Sequence, residues 1–227
     1  MPPDTVPDAS PTNRWRSADL ALAYLAEADA VPRRTEGEAT LVEVLPQRCD
    51  RILDLGCGGG RLSRIVLADR PHATGLAVDF SPTMLATARA ELTGTGVLVA
   101  EHDLAEPLAS GRVGEAVATQ GRFDAVVSSF AIHHLPDSRK RCLYSEILAV
   151  LRPGGVFANL EHVASATRRH EEVFWSLVGE AREQDPSNIL APVDVQLGWL
   201  RELGYVEVDA LWRWRELALL VGEHPAD

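Results

Sequence analysis

The fold is decided by one stretch, which reads Ile52-Leu53-Asp54-Leu55-Gly56-Cys57-Gly58-Gly59-Gly60-Arg61-Leu62. An apolar strand runs into a cluster of glycines, and the spacing of the apolar residues after Gly60 is typical of a helix. Glycine tolerates positive φ and lets a ligand approach the main chain, so this turn predicts a ligand site between strand and helix. In a dinucleotide-binding G-x-G-x-x-G turn, the third glycine would stand at position 61, which is Arg61. The spacing G-x-G-x-G therefore favours a ligand that brings no phosphates to the turn.

Strand and helix patterns alternate on the C-terminal side of this turn. The predicted strands are Arg51–Leu55, Thr74–Val78, Val97–Ala100, Phe123–Ser128 and Val156–Leu160, and the predicted helices are Arg61–Ala68, one that begins at Ser81 and Pro82, and Asp137–Leu151. Continuous apolar strands separated by helices indicate an α/β fold with a parallel sheet covered on both faces.

The two ends of the chain depart from this alternation. Residues 1–16 are expected to be frayed, residues 17–46 to form two helices, and residues 164–204 to form helical cap elements over the site. The first helix would run from a Ser17 cap to Ala30, and the second from a Thr35–Glu38 capping box to Leu45. The cap would contain helices at Thr167–Glu183 and Val193–Leu203, followed by strands at Tyr205–Asp209 and Leu217–Val221 joined through Trp212-Arg213-Trp214. We expect seven strands, with an antiparallel C-terminal strand at the sheet edge, in a single domain spanning residues 17–227.

Composition excludes several classes of protein. The 227 residues carry 22 Lys plus Arg against 33 Asp plus Glu, and the net charge of −11 argues against broad binding to nucleic acid or anionic membranes. No apolar run approaches the ~18 residues of a membrane span, so a cytoplasmic protein is expected. Cys49, Cys57 and Cys142 are odd in number and never spaced C-x-x-C, which argues against a disulfide framework and against a metal site.

Two acidic residues follow the next two predicted strands. Asp79 closes the second strand nineteen residues beyond Gly60, where doubly wound folds place a carboxylate against ribose hydroxyls. Asp103 follows the third strand, where it could accept a hydrogen bond from an adenine amino group, with Leu104 supplying a backbone contact. Either feature alone is typical of a tight turn or a helix cap, whereas the ordered set indicates a nucleoside site.

This ordered set resembles the class I S-adenosylmethionine (SAM)-dependent methyltransferases, from about Leu41 to Leu160. The matching segments are Asp54-Leu55-Gly56-Cys57-Gly58-Gly59-Gly60, Val78-Asp79-Phe80-Ser81, His102-Asp103-Leu104, the stretch from Phe123 to Pro136 that contains Ser129-Phe130-Ala131-Ile132-His133-His134-Leu135, and Leu151-Arg152-Pro153-Gly154-Gly155. The resemblance implies a Rossmann-like, doubly wound sheet and SAM as the cofactor, with S-adenosylhomocysteine (SAH) as its product.

The resemblance also implies a set of cofactor-binding residues. Gly56, Gly58 and Gly60, in the motif that begins at Asp54, would pack under the methionine part of the cofactor. Around the nucleoside it implies Asp79 on the ribose hydroxyls, Phe80 against the adenine, Asp103 and Leu104 at the adenine edge, and Ser129 and Phe130 at the end of the fourth strand. Arg34 or Arg33, ahead of the second helix, is the candidate for the methionine carboxylate, with an ordinary solvated charge as the alternative.

Methyl transfer from a sulfonium is an in-line displacement, in which the enzyme holds a nucleophile against the methyl carbon and excludes water. A histidine would help where the acceptor is a hydroxyl or a protonated amine. His133 and His134 follow the fourth strand and His162 follows the fifth, so we name His162 and His133 as candidate catalytic residues, with packing and helix initiation as the alternative for the His133–His134 pair. His102 is interpreted as structural. The predicted cap and hairpin also bring aromatic side chains that could stack on an acceptor or fill the core: Phe174, Trp175, Trp199, Trp212 and Trp214.

The leading hypothesis is a methyltransferase that acts on an O, N or C nucleophile of a small molecule, as a monomer or homodimer. Two alternatives stay open: a nicotinamide-dependent oxidoreductase and a SAM-binding module without catalysis. Arg61 at the third-glycine position argues against the first, and intact cofactor motifs do not exclude the second.

Overall fold

The computed structural model describes residues 11–178 and 185–226, and its centre is a seven-stranded sheet in the order β3-β2-β1-β4-β5-β7-β6. The strands are β1 (Arg51–Leu55), β2 (Thr74–Asp79), β3 (Val97–Glu101), β4 (Phe123–Ser129), β5 (Leu151–His162), β6 (Val206–Trp214) and β7 (Leu217–Glu223). Strands β1 to β5 pair in parallel, and β7 runs antiparallel to both β5 and β6. The α/β prediction of a mostly parallel, doubly wound, seven-stranded sheet is confirmed. The antiparallel strand β7 lies one place in from the edge, and β6 forms the edge itself.

Eight α-helices in the described part of the chain accompany the sheet. They are α1 (Ala18–Glu27), α2 (Arg34–Val44), α3 (Arg61–Asp69), α4 (Pro82–Glu91), α5 (Gly111–Gln120), α6 (Asp137–Val150), α7 (Arg168–Val178) and α8 (Val193–Leu203). Within residues 11–178 and 185–226, no helix is long and apolar enough to cross a membrane.

The core forms two layers because alternate side chains of each strand point to opposite faces of the sheet. Leu53 and Leu55 belong to one buried cluster, whereas Ile52, the residue before Leu53, belongs to the other. All seven residues of β4 are buried, as expected for a central parallel strand covered on both faces.

Several local predictions were wrong, for identifiable reasons. The sequence reading did not predict α5, although Val113, Ala116 and Val117 recur at helical spacing and pack against the core. The predicted Thr35–Glu38 capping box does not form, because α2 begins at Arg34 and Glu38 instead binds two arginines. Trp212-Arg213-Trp214, predicted as a connection, lies inside β6.

The ends of the chain also differ from expectation. Residues 11–16, predicted to be frayed, form a 3-10 helix, Pro11–Arg16, and Trp15 packs edge-to-face on Tyr24 with ring centroids 5.6 Å apart. The predicted helix through Ala30 ends as α1 at Glu27 and continues as a 3-10 turn, Ala28–Ala30. Residues 1–10 of the predicted frayed segment, residues 179–184 of the predicted cap and residue 227 lie outside the described residues.

Candidate active site

A cavity of about 510 Å³ opens where the parallel strands end, on the side that the sequence predicts. Most of the predicted site residues line it: Asp54, Gly56, Gly58, Asp79, Phe80, Asp103, Leu104, Ser129, Phe130, Arg34, His133 and His162. Gly60 is not among the lining residues. A Cβ at Gly60 would meet Leu92 and Ala88 of the α4 region at 3.3–3.4 Å, so this glycine serves helix packing.

The glycine turn has the backbone that the sequence implies. Gly56, Gly58 and Gly60 have φ values of +66°, +52° and +83°. A Cβ at Gly56 would stand 2.2 Å from Ala131 Cβ, because the turn passes against the end of β4. A Cβ at Gly58 would meet only Met84 Sδ, at 3.8 Å, so the main chain at Gly58 faces open space in the cavity.

The carboxylate of Asp79 is held in place by the main chain. Its Oδ2 accepts a hydrogen bond from Gly58 N at 2.9 Å, and its Oδ1 accepts one from Ser81 N at 2.8 Å. Burial raises the pKa of Asp79, while these N–H donors act in the opposite direction. Each oxygen keeps a lone pair for hydroxyls in the cavity, which suits a ribose.

Asp54 lies at the base of the turn. Its Oδ2 accepts hydrogen bonds from Ser63 N and Oγ, at 3.1 and 2.6 Å, and fastens the turn to the start of α3. Burial raises the pKa of Asp54 to about 6. Asp54 Oδ1 and Ser129 Oγ are buried with no hydrogen-bond partner among the described residues.

The side of the cavity lined by Phe80 and Asp103 carries one further residue that was not predicted from the sequence. The Arg16 guanidinium lies 5.3 Å from the centroid of the Phe80 ring, and its Nη2 lies 3.9 Å from Asp103 Oδ2. Asp103 Oδ1 also accepts a hydrogen bond from Ala105 N at 2.9 Å, which shapes the turn after β3. The 3-10 helix thus covers the side where Phe80 and Asp103 meet.

Of the two candidate arginines, only Arg34 lines the cavity. It is 5% exposed, its Nε donates to Glu38 Oε1 at 2.7 Å, and its guanidinium lies 5.2 Å from the Phe130 ring centroid. Arg61 shares Glu38, at 2.8 Å from Nε to Oε1, so a single buried carboxylate holds two cations beside the cavity. Arg33 is exposed and pairs with Glu36.

The opposite end of the cavity carries a buried histidine–glutamate pair. His133 Nδ1 lies 2.5 Å from Glu161 Oε1, while Glu161 Oε2 has no partner among the described residues. Burial lowers the pKa of His133 well below its usual range and raises that of Glu161 to about 7. The imidazole is therefore neutral near neutral pH, whereas Glu161 gains and loses its proton in that range, and only the histidine lines the cavity.

A second pair lies beside the first. His162 Nε2 is 2.9 Å from Glu216 Oε2, and Ser165 Oγ donates to Glu216 Oε1 at 2.5 Å. The His133 and His162 rings are 5.8 Å apart. Phe174 and Trp175 of α7 pack on His162 with ring centroids 5.6 and 6.1 Å away, and both line the cavity.

Residues 185–191, here called the acceptor segment, close this end of the cavity together with the 3-10 helix. Ser187 Oγ lies 3.0 Å from His134 Nδ1 and accepts a hydrogen bond from Trp15 Nε1 at 3.3 Å. Arg14 pairs with Asp185 at 3.1 Å. Burial lowers the pKa of His134 to about 3, so this imidazole is neutral.

Sequence reasoning missed the partners of the histidines, namely Glu161, Glu216 and Ser187, because each is distant along the chain from its histidine.

The aromatic residues that the sequence predicted for either the acceptor site or the core fall into both groups. Phe174 and Trp175 line the cavity, whereas Trp199 packs against Tyr144 in the core at 6.5 Å between ring centroids. Within the described ranges, no group of three or more His, Cys, Asp or Glu side chains could hold a metal ion.

Comparison with known proteins gives a consistent assignment. Residues 52–155 match the protein family described as "Methyltransferase domain". The chain is 30% identical over 142 residues to a ribosomal RNA small subunit methyltransferase C of Shewanella loihica, covering 61% of this chain and 39% of that protein. It is 36% identical over 106 residues to a ubiquinone biosynthesis O-methyltransferase of Aromatoleum aromaticum, covering 46% of this chain and 41% of that protein. This chain therefore spans about two fifths of the length of each of these relatives.

A solved structure supports the fold over nearly the whole chain. The O-methyltransferase family protein from Burkholderia thailandensis superposes with a TM-score of 0.71 over 95% of this chain and 63% of that chain, at 20% identity. At that identity the likeness establishes the architecture, and the chemistry has to be argued from the site.

Proposed function

We propose that this chain, whose residues 52–155 match the family described as "Methyltransferase domain", is a class I SAM-dependent methyltransferase that moves a methyl group to an O, N or C nucleophile of a small molecule by in-line displacement. The observation that carries the proposal is that one cavity contains both an open glycine turn with its ribose-type carboxylate and a wall of histidine and aromatic side chains. The two ends supply the two requirements of such a transfer, a cofactor cradle and an enclosed acceptor position.

The residues of the cradle fit SAM. The main chain at Gly58 faces open space, Asp79 offers two oriented oxygens, and the buried Ser129 Oγ and Asp54 Oδ1 lack partners among the described residues. Phe80 offers an aromatic face for adenine, beside Asp103 and Leu104. We assign Arg34 to the methionine carboxylate, with part of its charge already neutralised by Glu38.

SAM, when bound, supplies a methyl group on a positively charged sulfur. The contribution of the chain is to orient the acceptor and to keep water out, and the aromatic wall of Phe174, Trp175 and Trp15 suits both tasks. Trp and Phe side chains provide large apolar contact area and stack on flat or cationic groups.

We assign His133 as the residue that accepts a proton from the acceptor, and His162 as a second contact. Burial keeps the His133 imidazole neutral, and when Glu161 is ionised it accepts a hydrogen bond from Nδ1–H. In that tautomer the other ring nitrogen is the base, beside the Asn188 side chain that also hydrogen-bonds the ring. Glu161 lies behind the ring and orients it. His162 is oriented in the same way by Glu216.

A small acceptor is favoured over a nucleic acid by charge and enclosure. The net charge of −11 opposes binding to a phosphate backbone. The cationic side chains at the cavity are already paired, Arg34 and Arg61 with Glu38 and Arg14 with Asp185. The ribosomal RNA methyltransferase named above makes RNA the competing acceptor class, and the quinone-pathway relative makes a small aromatic the favoured one.

Thermal denaturation with SAM, SAH and NAD tests the cofactor. At 100 times the dissociation constant a ligand stabilises by about 2.7 kcal/mol, which corresponds to a rise of roughly 5–11 °C for a chain of this size. We expect that rise with both sulfur nucleosides, none with NAD, and a reduced rise for Asp79→Asn. A response to NAD alone would support the oxidoreductase hypothesis and refute the proposal.

Transfer of radiolabel from SAM into a cell extract tests the acceptor class. Label in the small-molecule fraction supports the proposal, and label in RNA or protein contradicts it. Cofactor binding without label in any fraction would favour a SAM-binding module that does not catalyse transfer.

A further inference from the structure

Lys140 is the only lysine in the chain, since the other 21 of its 22 basic Lys and Arg residues are arginine. It lies in the first turn of α6, six residues after His134, and is 1% exposed. Lysine is rarely buried without a specific partner, so its position requires a physical explanation.

The ammonium of Lys140 joins two segments. Nζ donates to Asp137 Oδ1 at 2.8 Å and also to the carbonyl oxygen of Ile189, in the acceptor segment. Ile189 N in turn donates to His133 O at 3.0 Å, so both polar backbone groups of Ile189 are bound, the carbonyl by Lys140 and the N–H by His133. Lys140 is not among the described residues that line the cavity, and it therefore acts from behind the wall.

We infer that Lys140 is a positioning residue of the acceptor site: its buried ammonium fastens the acceptor segment to the start of α6, beside the His133–Glu161 pair. The inference rests on the proposed function only in calling this end of the cavity the acceptor site. The contacts that Lys140 makes are a property of the folded chain, whatever the cavity binds. A compact ammonium suits a site with one carboxylate and one carbonyl, whereas the planar guanidinium of arginine does not.

The same cation acts electrostatically on the histidine–glutamate pair. The titratable groups that face His133 and Glu161 from the elements around them are His134, His162, Asp185, Tyr144 and Lys140. The Lys140 charge lowers the pKa of both His133 and Glu161. It therefore favours the neutral imidazole together with the ionised carboxylate, the combination in which Nδ1–H donates to Glu161 and the other ring nitrogen can accept a proton.

Two measurements on the purified full chain test this inference without a known acceptor. In Lys140→Met, amide exchange of the acceptor segment should be roughly ten- to hundredfold faster, the factor that corresponds to losing one hydrogen bond to a charged group. Ring-nitrogen NMR should show the His133 titration moving to higher pH, since the neighbouring positive charge is gone. Calorimetric affinity for SAH should stay within about twofold. Lys140→Arg keeps the positive charge but not the compact ammonium. It should therefore bring the His133 titration back towards its wild-type pH more fully than it restores the amide protection of the acceptor segment.

Arg141→Met is the matched control, because Arg141 is the next residue, is half-exposed, and pairs with Glu202 on the outside of the helix. It should leave both measurements unchanged. Unchanged protection of the acceptor segment in Lys140→Met, or equal acceleration in every peptide, would overturn the inference. If the wild-type chain did not bind SAH, the proposed function would be refuted, whereas the exchange and titration results would still test the role of Lys140.

A mutation-free measurement covers the event that Lys140→Met does not fold. Reductive methylation of wild-type protein can modify one lysine only, and an added free lysine derivative gives the rate for an exposed amine. Lys140 should react roughly ten- to hundredfold more slowly than the free derivative, or slower still, because its ammonium must first be released from its partners. Reaction at the rate of the free derivative would show that the ammonium is not held and would overturn the inference.

Discussion

The two ends of the cavity are built in different ways. The cofactor end, comprising the glycine turn, Asp79, Phe80 and Asp103, is shaped by main-chain turns. Their hydrogen bonds join residues close in sequence, such as Gly58 to Asp79, 21 positions apart, and His102 to Asp79, 23 positions apart. The acceptor end is assembled from side chains far apart in sequence: His133 and Glu161 are separated by 28 positions, His162 and Glu216 by 54, and Trp15 and Ser187 by 172. Substitutions should therefore affect the cofactor end through the backbone and the acceptor end through individual side chains.

The largest effect is expected at the cofactor end, from Gly56→Ala. The new Cβ would stand 2.2 Å from Ala131 Cβ at a positive φ of +66°, and left-handed strain plus overpacking amounts to about 2–5 kcal/mol. We expect the free energy of unfolding to fall by that amount and SAH binding to become undetectable by calorimetry. Gly154→Ala is the matched control, since Gly154 also has positive φ, at +72°, but has nothing within 4 Å of a Cβ. Equal losses in the two variants would refute the steric explanation.

The first effect at the acceptor end is expected from His133→Asn. Loss of a general base lowers turnover by about 10²–10⁴-fold, and SAH affinity should change by less than about twofold, because the cofactor residues are untouched. Label transfer into the small-molecule fraction and calorimetry measure the two quantities. His224→Asn is the control, because His224 is hydrogen-bonded to Gly154 and Gly155, away from the cavity. If His133→Asn retained full turnover, the ring would have only a packing role.

This division explains how much of the site could be predicted from the sequence. Asp54, Gly56, Gly58 and Asp79 are set by local turns, and the spacing of residues in a turn can be read directly from the sequence. Gly60 matched the motif, yet it packs against α4, because the same residue type satisfies both a ligand turn and a helix crossing. Glu161 and Glu216 could not be paired with His133 and His162 in advance, since those pairings depend on the register of β5 against its neighbours.

Fold prediction shows the same limit. The alternation of apolar strands and helices predicted the parallel part of the sheet. The position of β7 between β5 and β6 depends on tertiary packing, which the periodicity of the sequence does not encode. The 3-10 helix at residues 11–16 was predicted as frayed because its polar composition carries no periodicity. Its order comes from distant contacts, such as those of Trp15 and Arg16.

A pH measurement sharpens the contrast at Glu161. Burial raises the pKa of Glu161 in the folded chain from 4.5 to about 7. The folded state therefore holds this proton more tightly than the unfolded state does, and the resulting stability is fully present below pH ~4.5 and lost as the pH rises through about 7. Relative to Glu161→Gln, the wild type should lose on the order of 1–3 kcal/mol of unfolding free energy across that window. Denaturant melts at several pH values measure this, with exposed Glu172→Gln expected to parallel the wild type. A constant difference between wild type and Glu161→Gln would contradict the raised pKa.

The smallest effect is expected from Arg14→Gln, which breaks the ion pair between the 3-10 helix and Asp185 of the acceptor segment. Both side chains are partly exposed, at 37% and 27%, so the pair contributes about 0.2–1 kcal/mol and is screened by salt. We expect a small rise in amide exchange of residues 185–191 at low ionic strength, no difference from wild type at high ionic strength, and unchanged SAH affinity. Arg112→Gln, which breaks an exposed pair with Glu115 within α5, is the control and should not alter exchange of the acceptor segment. If Arg14→Gln instead weakened SAH binding as strongly as it loosened the acceptor segment, the 3-10 helix would couple the two ends, and the division between a backbone-built cofactor end and a side-chain-built acceptor end would fail.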